Sequence, residues 1–382
     1  MTATTRSSDK PATAERTNLF GLDRDALRAW LADSGHPAYR ADQLMHWVYR
    51  RGVTDFDAMS NLSKAFREQL AAECEWRLPN LITEQQSADG TRKWLFGVPG
   101  SNGSEQAIET VFIPEADRGT LCISSQVGCA MDCSFCSTAA QGFSRHLTAA
   151  EIIGQVFAAG RLLGGDFQNH RVISNVVFMG MGEPLANYAG LLPALRVLLD
   201  DHGFGLSKRR VTVSTSGLVP FIDRLGRDCD TALAISLHAP DDALRNELVP
   251  INRKYPIREL LDACRRYAGS RDRKVQIVFE YVMLDGVNDS PEQARALARQ
   301  LGGLPAKVSL IPFNPFPNTP YRRSAPERIE RFADVLKRQR IVTTVRKTRG
   351  DDIDAACGQL VGQVTSRQRR RLSETPVKWV PA

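Results

Sequence analysis

Apolar positions change their period twice along the chain. Between residues 19 and 76 they recur at helical spacing in Asp23–Asp33, Arg40–Arg51 and Leu62–Cys74, with breaks at Gly35-His36-Pro37 and Arg51-Gly52-Val53, predicting a small helical domain. From 81 to 113 they alternate, broken at Asp89-Gly90 and Pro99-Gly100, which predicts a short β-meander. From 119 onward, strand-like runs at 120–125, 172–179, 210–214, 232–237, 275–281 and 307–311 take turns with helical runs. The helical runs are 148–163, 189–200, 218–226, 256–268 and 291–301, with another at 326–340. Such alternation builds a parallel sheet, open or curled into a barrel. Six units fall short of a closed eightfold barrel. The expected fold class is therefore α/β, an incomplete (β/α)6 TIM-like barrel with a small N-terminal helical domain, and 341–346 is a candidate extra strand.

Strand parity favours the curled form. Thr120, Cys122 and Ser124 share one face of their strand, and Leu121 and Ile123 the other. Val211-Thr212-Val213-Ser214 and Leu233-Ala234-Ile235-Ser236-Leu237-His238 divide the same way. A sheet covered by helices on both faces would be apolar on both. A small, polar inner face suits a lumen that holds a ligand, with the site at the C-terminal strand ends near Ser214, Ser236 and His238. The expected organisation is a disordered tail over 1–18, a helical domain over 19–76 and a β-meander linker over 77–118. The partial barrel follows over 119–349, and then a loop carrying Cys357 and a basic tail over 350–382.

Composition is that of a globular protein, with 42% apolar and 24% charged residues among 382, which excludes a wholly disordered chain. No stretch approaches the ~18 uninterrupted apolar residues of a membrane span. Met1 to Thr17 is polar, without the apolar run of a secretory signal, so a cytoplasmic protein is expected. The net charge of +7 is uneven: residues 321–382 hold 15 Lys/Arg against 7 Asp/Glu, leaving the first 320 residues at −1. A concentrated basic field attracts polyanions, so nucleic acid is a candidate partner.

Eight cysteines lie at 74, 122, 129, 133, 136, 229, 264 and 357. Three fall within eight residues, Cys129-Ala130-Met131-Asp132-Cys133-Ser134-Phe135-Cys136, directly after the first barrel strand. That crowding suits a metal site better than a disulfide framework. Two readings stand. One is zinc, with a fourth ligand from elsewhere, although no second C-x2-C pair accompanies the run. The other is an iron–sulfur cluster on three thiolates with one iron left open. Cys74, Cys229 and Cys264 have no assigned role.

The C-x3-C-x2-C run, placed after the first strand of an incomplete barrel, resembles the signature of radical S-adenosylmethionine enzymes. Met179-Gly180-Met181-Gly182-Glu183-Pro184 is similar to the superfamily's glycine-glutamate motif, where backbone approaches the methionyl group closely and a carboxylate suits its ammonium. Leu121-Cys122-Ile123-Ser124-Ser125-Gln126-Val127-Gly128-Cys129, Phe135-Cys136-Ser137-Thr138 and Gly142-Phe143 narrow the resemblance to the RlmN/Cfr family of RNA adenine methyltransferases. It extends over about 19–365 and includes Glu109, Ser214, Ser236-Leu237-His238, Asn314 in Pro312-Phe313-Asn314-Pro315, and Cys357 in Ala356-Cys357-Gly358.

The resemblance implies a 4Fe–4S cluster on Cys129, Cys133 and Cys136. It implies S-adenosylmethionine held by Gly182, Glu183, Ser214, Ser236, Leu237, His238 and Asn314. Cys357 would carry a methyl group, a 5′-deoxyadenosyl radical would activate it, and the carbon would join carbon 2 of an adenine. Glu109 would remove the proton, and Cys122 would release the RNA by forming a disulfide with Cys357. Expected partners are 23S rRNA, tRNA near the anticodon and an electron donor, with the enzyme acting as a monomer. The alternatives are carbon-8 methylation by the same machinery and a zinc-stabilised RNA-binding protein without catalysis.

Overall fold

The computed structural model describes residues 16–100, 104–165, 172–270, 275–360 and 362. The tail expected over 1–18 lies mostly outside them, but its last two residues are ordered. Thr17–Asn18 (β1) pairs in parallel with Cys74–Glu75 (β2), tying the start of the helical domain to its end. Helices Arg24–Asp33, Tyr39–Met45 and Lys64–Glu73 fill the space between, two of them capped by Asp23 and Ser63 side chains. The single helix expected over 40–51 instead ends in a π-helical turn at His46–Arg50. This module packs on the barrel through Phe20 against Phe157 and Tyr49 against Phe204. Arg196 Nη1 reaches Asp23 Oδ2 at 3.0 Å across the same junction.

Asn80–Gln86 (β3), Arg92–Pro99 (β4) and Glu105–Glu115 (β5) form the antiparallel meander. It is no linker. Strand β5 pairs with Arg118–Cys122 (β6), the first barrel strand, so the meander extends the barrel sheet itself. Beyond β6 the chain makes the hairpin Gln126–Gly128 (β7) and Phe143–His146 (β8) around the cysteine run. The remaining strands are Asn175–Phe178 (β9), Val211–Thr215 (β10), Ala232–Ser236 (β11), Ile277–Met283 (β12), Ala306–Pro312 (β13) and Val342–Val345 (β14). Their order is β14-β13-β12-β11-β10-β9-β6-β5-β4-β3, parallel from β6 to β14 and antiparallel on the other flank. The candidate extra strand at 341–346 is thus the parallel edge. Every barrel helix anticipated from periodicity is present, and one more, Asp242–Leu248, follows β11.

Register fixes which side chains share the inner face. Cys122 stands beside Val177, Val177 beside Thr212, Ser214 beside Ala234, Ser236 beside Glu280, and Glu280 beside Ser309. Neighbours in register point to the same side of a sheet. Cys122, Ser214, Ser236 and Glu280 therefore look into one lumen, while Leu121, Val176, Phe178, Val213, Leu233, Ile235 and Phe279 are buried in the apolar layer behind them. Buried Gln155 locks the layers together: its amide oxygen accepts from Thr110 and from the Ser124 N–H, and its amide nitrogen donates to the Ser124 carbonyl.

Candidate active site

A half-open cleft lies at the C-terminal strand ends. Cys129, Cys133 and Cys136 share its wall with Gly182, Glu183, Ser214, Ser236, His238 and Cys357. Nine of the thirteen residues expected from sequence thus meet in one place.

The cysteine run is short of secondary structure and held from outside. Cys129 N–H donates to the Gly142 carbonyl, Ser134 N–H to the Leu248 carbonyl and Ser137 N–H to the Gly358 carbonyl. Cys133 and Cys136 pack on a second apolar cluster that includes Phe135, Leu244, Leu248, Phe313 and Tyr321. Burial pushes all three thiols upward, so the protonated forms are favoured until a metal replaces the protons. Among the described residues, no group of three His, Cys, Asp or Glu is disposed to grip one metal ion. The donor set, all sulfur and three in number, fits a cluster with one open iron.

Glu183 is 3% exposed and both oxygens of its carboxylate are held in place. Oε2 accepts from the Ser216 N–H and hydroxyl, both at 2.8 Å, and Oε1 from the Leu185 N–H at 3.1 Å. Burial raises its affinity for a proton, and the bonds from Ser216, Thr215 and Leu185 oppose that. The preceding Gly182 has φ +98°, and a Cβ there would lie 2.4 Å from Gln126 Cβ. Only glycine lets the backbone pass so close.

His238 has φ +60° and accepts the Val282 N–H on Nδ1 at 3.0 Å. Burial and the nearby Arg245 cation bring its titration down to about 3. The ring is therefore neutral, with its proton on Nε2. Leu237 behaves differently from its neighbours. Its side chain is wholly buried in the core, its N–H donates to the Glu280 carbonyl, and its own carbonyl accepts from Arg245 Nε. It supports the cleft from behind instead of lining it.

Asn314 also stands behind the cleft. Its Nδ2 donates to the Cys357 carbonyl, and its Oδ1 accepts from Arg323 Nη2. The Cys357 loop is otherwise pinned by Thr138 Oγ1 on the Leu360 carbonyl at 2.7 Å and Gln359 Nε2 on the Pro315 carbonyl at 3.0 Å. A hairpin turn between β3 and β4 holds its far side: Ser87 Oγ donates to Asp352 Oδ1 at 2.5 Å and the Gly350 N–H to Asp89 Oδ2 at 3.2 Å.

Two charged residues of the lumen carry no motif. Glu280 interrupts the apolar run Val278–Val282 and accepts from Ser214 Oγ at 3.3 Å and from Arg346 Nη1 at 3.0 Å. Arg346 follows β14 and lines the cleft beside Cys357. Burial pushes the Cys122 thiol up to about 12, with Cys357 adding to the rise and Arg346 opposing it. A lone charge inside an apolar strand is the signal that marks Glu280. Glu109 lies on β5, buried, with Lys93 Nζ 3.3 Å from its Oε1. No disulfide joins any of the eight cysteines.

Comparison with known proteins agrees with this architecture. Residues 17–75 match the ribosomal RNA large subunit methyltransferase N-terminal domain, and residues 123–298 the radical SAM superfamily. A radical SAM methyltransferase from Sphaerobacter thermophilus is 48% identical, with 90% of this chain and 99% of that one covered and a TM-score of 0.81. More distant likenesses include a domain of pyruvate-formate lyase-activating enzyme from Bacteroides vulgatus, at 20% identity, 46% and 99% coverage and TM-score 0.34. Another is an FeFe-hydrogenase maturase from Carboxydothermus hydrogenoformans, at 15% identity, 61% and 55% coverage and TM-score 0.44. With its partial barrel, its three-cysteine wall and a relative matched almost end to end, the chain belongs to the RlmN/Cfr family of radical S-adenosylmethionine methyltransferases, which use a 4Fe–4S cluster and act on RNA.

Proposed function

We propose that this enzyme methylates carbon 2 of an adenine in 23S rRNA and, by the same site, in tRNA near the anticodon. The observation that carries this reading is the meeting of Cys357, Arg346 and the three-cysteine wall in one cleft, with Cys122 buried behind. When bound at Cys129, Cys133 and Cys136, the cluster together with S-adenosylmethionine supplies an electron and a hydrogen-abstracting radical.

The chain's own residues do the rest. Glu183, Gly182, Ser214, Ser236 and His238 hold and orient S-adenosylmethionine, His238 as a neutral donor and Glu183 as an acceptor for ammonium. Cys357 carries the methyl carbon as a thioether and delivers it to the base, which must leave its stack to enter. Glu109 takes the proton displaced from carbon 2. The Cys122 sulfur then bonds to the Cys357 sulfur while the sulfur–carbon bond breaks. That bond's electron pair stays with the carbon, which gains a proton and becomes the methyl group. Because the carbon arrives as a radical, one unpaired electron is left over, which would pass to the redox carrier that serves the cluster; the disulfide that remains needs two electrons from the external donor to reopen. Arg346 favours the Cys122 thiolate that this step consumes. Asn314 acts by steadying the Cys357 loop.

The helical domain and the basic C-terminal third are the proposed RNA-facing surfaces, so binding weakens with salt. The enzyme works as a monomer in the cytoplasm with an external electron donor. Anaerobic turnover on rRNA and tRNA, followed by mass-spectrometric location of the new methyl group, tests the proposal. Methylation at carbon 2 is expected; a methyl found solely at carbon 8 defeats it.

A further inference from the structure

Lysine is seldom placed inside a sheet, yet Lys93 of β4 is 8% exposed and precedes the fully buried Trp94. Its ammonium lies 3.3 Å from Glu109 Oε1 on the neighbouring strand. It also donates to the carbonyl oxygen of Asp354, again at 3.3 Å, in the loop that carries Cys357. Asp354 has φ +50°, a left-handed form that Asp adopts more readily than most residues with a side chain, and its carbonyl is turned to the ammonium.

Register adds a third relationship. Lys93 stands opposite Val111, and Val111 opposite Cys122. Lys93, Glu109 and Cys122 therefore share one face across three adjacent strands, and the Cys357 loop lies against the same corner. An ammonium has three hydrogens to donate and can hold a carboxylate and a carbonyl at once. A neutral side chain could hold neither as firmly.

We propose that Lys93 is a positioning residue, which fixes the Glu109 carboxylate relative to the Cys357 loop so that the base meets the carbon this loop delivers. The inference rests on the reading of Glu109 as general base. In the step concerned, the carbon-2–hydrogen bond breaks, the proton passes to Glu109 and the electron pair enters the ring. With the carboxylate misplaced, RNA remains joined to Cys357 because the adduct has formed but cannot lose its proton.

The test compares Lys93→Met, Lys93→Gln, Lys93→Arg and Glu109→Gln in the full-length, cluster-loaded enzyme during anaerobic single turnover. Covalent protein–RNA adduct and free methylated RNA are both quantified. Iodoacetamide alkylation of Cys357 is timed separately in the RNA-free protein. Loss of a charge-assisted bond predicts about tenfold more adduct and about tenfold faster alkylation in Lys93→Met and Lys93→Gln, with both reversed in Lys93→Arg. A purely structural lysine would lower adduct and product together. Adduct in Glu109→Gln but in neither neutral Lys93 variant overturns the Lys93 assignment alone. Adduct in none of these variants overturns the base reading beneath it.

Discussion

The side-chain amide of Asn314 donates to the carbonyl oxygen of Cys357 at 3.2 Å while its oxygen accepts from Arg323 Nη2 at 2.9 Å. Thr348 Oγ1 approaches the same oxygen at 3.4 Å. Asn314 thus joins the end of β13 to the loop that bears Cys357. Asn314→Ala removes a donor and an acceptor from a buried spot, at a cost of about 1–3 kcal/mol. Methyl transfer should fall roughly tenfold or more by that amount, with iron content unchanged. Unaltered single-turnover rates would show that the loop needs no such support.

On the proposed mechanism, loss of Cys357 and loss of Cys122 should fail in different ways. Cys357→Ala keeps the wall formed by Cys129, Cys133 and Cys136, so iron loading persists while no methyl reaches RNA. Cys122→Ala leaves the carrier intact and removes the sulfur that releases it, so RNA stays attached to protein. Denaturing gels of a turnover mixture distinguish the two. Free methylated RNA at the parental rate from either variant would remove that cysteine from the sequence of steps.

Glu183→Gln replaces a carboxylate oxygen facing the Ser216 N–H with a group that can be a donor, and removes the charge offered to an ammonium. S-adenosylmethionine affinity is expected to fall about tenfold or more, read by equilibrium dialysis on the iron-loaded protein. Gly182→Ala meets Gln126 and a φ of +98°, and should cost about 2 kcal/mol or more of stability in a denaturant titration. An unchanged midpoint would mean that the turn relaxes at no cost.

His238 gives a pH signature. Its ordinary titration near 6.5 falls to about 3 on folding, because burial and Arg245 disfavour the imidazolium. Between those values the unfolded chain holds the extra proton. This contribution to stability is therefore complete above about 6.5 and drains away as pH falls toward 3, at up to about 1.4 kcal/mol per pH unit. His238→Asn keeps an acceptor for the Val282 N–H and tolerates a positive φ, but does not titrate. Denaturation at pH 7.5, 5.5 and 4.5 should show the parent losing more stability than the variant. Parallel losses would mean that His238 charges freely in the folded state.

The sequence carries what is local. The spacing of Cys129, Cys133 and Cys136, the parity that turns Cys122 inward, and the order of barrel strands can be read along the chain. The helix Asp242–Leu248 could not, since seven residues span barely two turns and show no reliable period. The meander reads as a linker because alternation reveals a strand but not its partner; that β5 pairs with β6 is a matter of register. Arg346 and Glu280 are 66 positions apart and meet solely because β12, β13 and β14 align. Lys93 and Asp354, 261 apart, have no shared pattern at all.

Ser87 and Asp352, in hydrogen-bond contact, are separated by 265 positions. The hairpin leaves the ribosome early, and the segment it clasps leaves near the end of synthesis. Every strand that frames the three-cysteine wall precedes Cys357 in the chain. Contacts of such separation cost more loop-closure entropy than local ones. A chain cut short before residue 350 would possess the wall yet lack Cys357, the proposed carrier. The cleft is therefore completed by contacts between an early hairpin and a late loop.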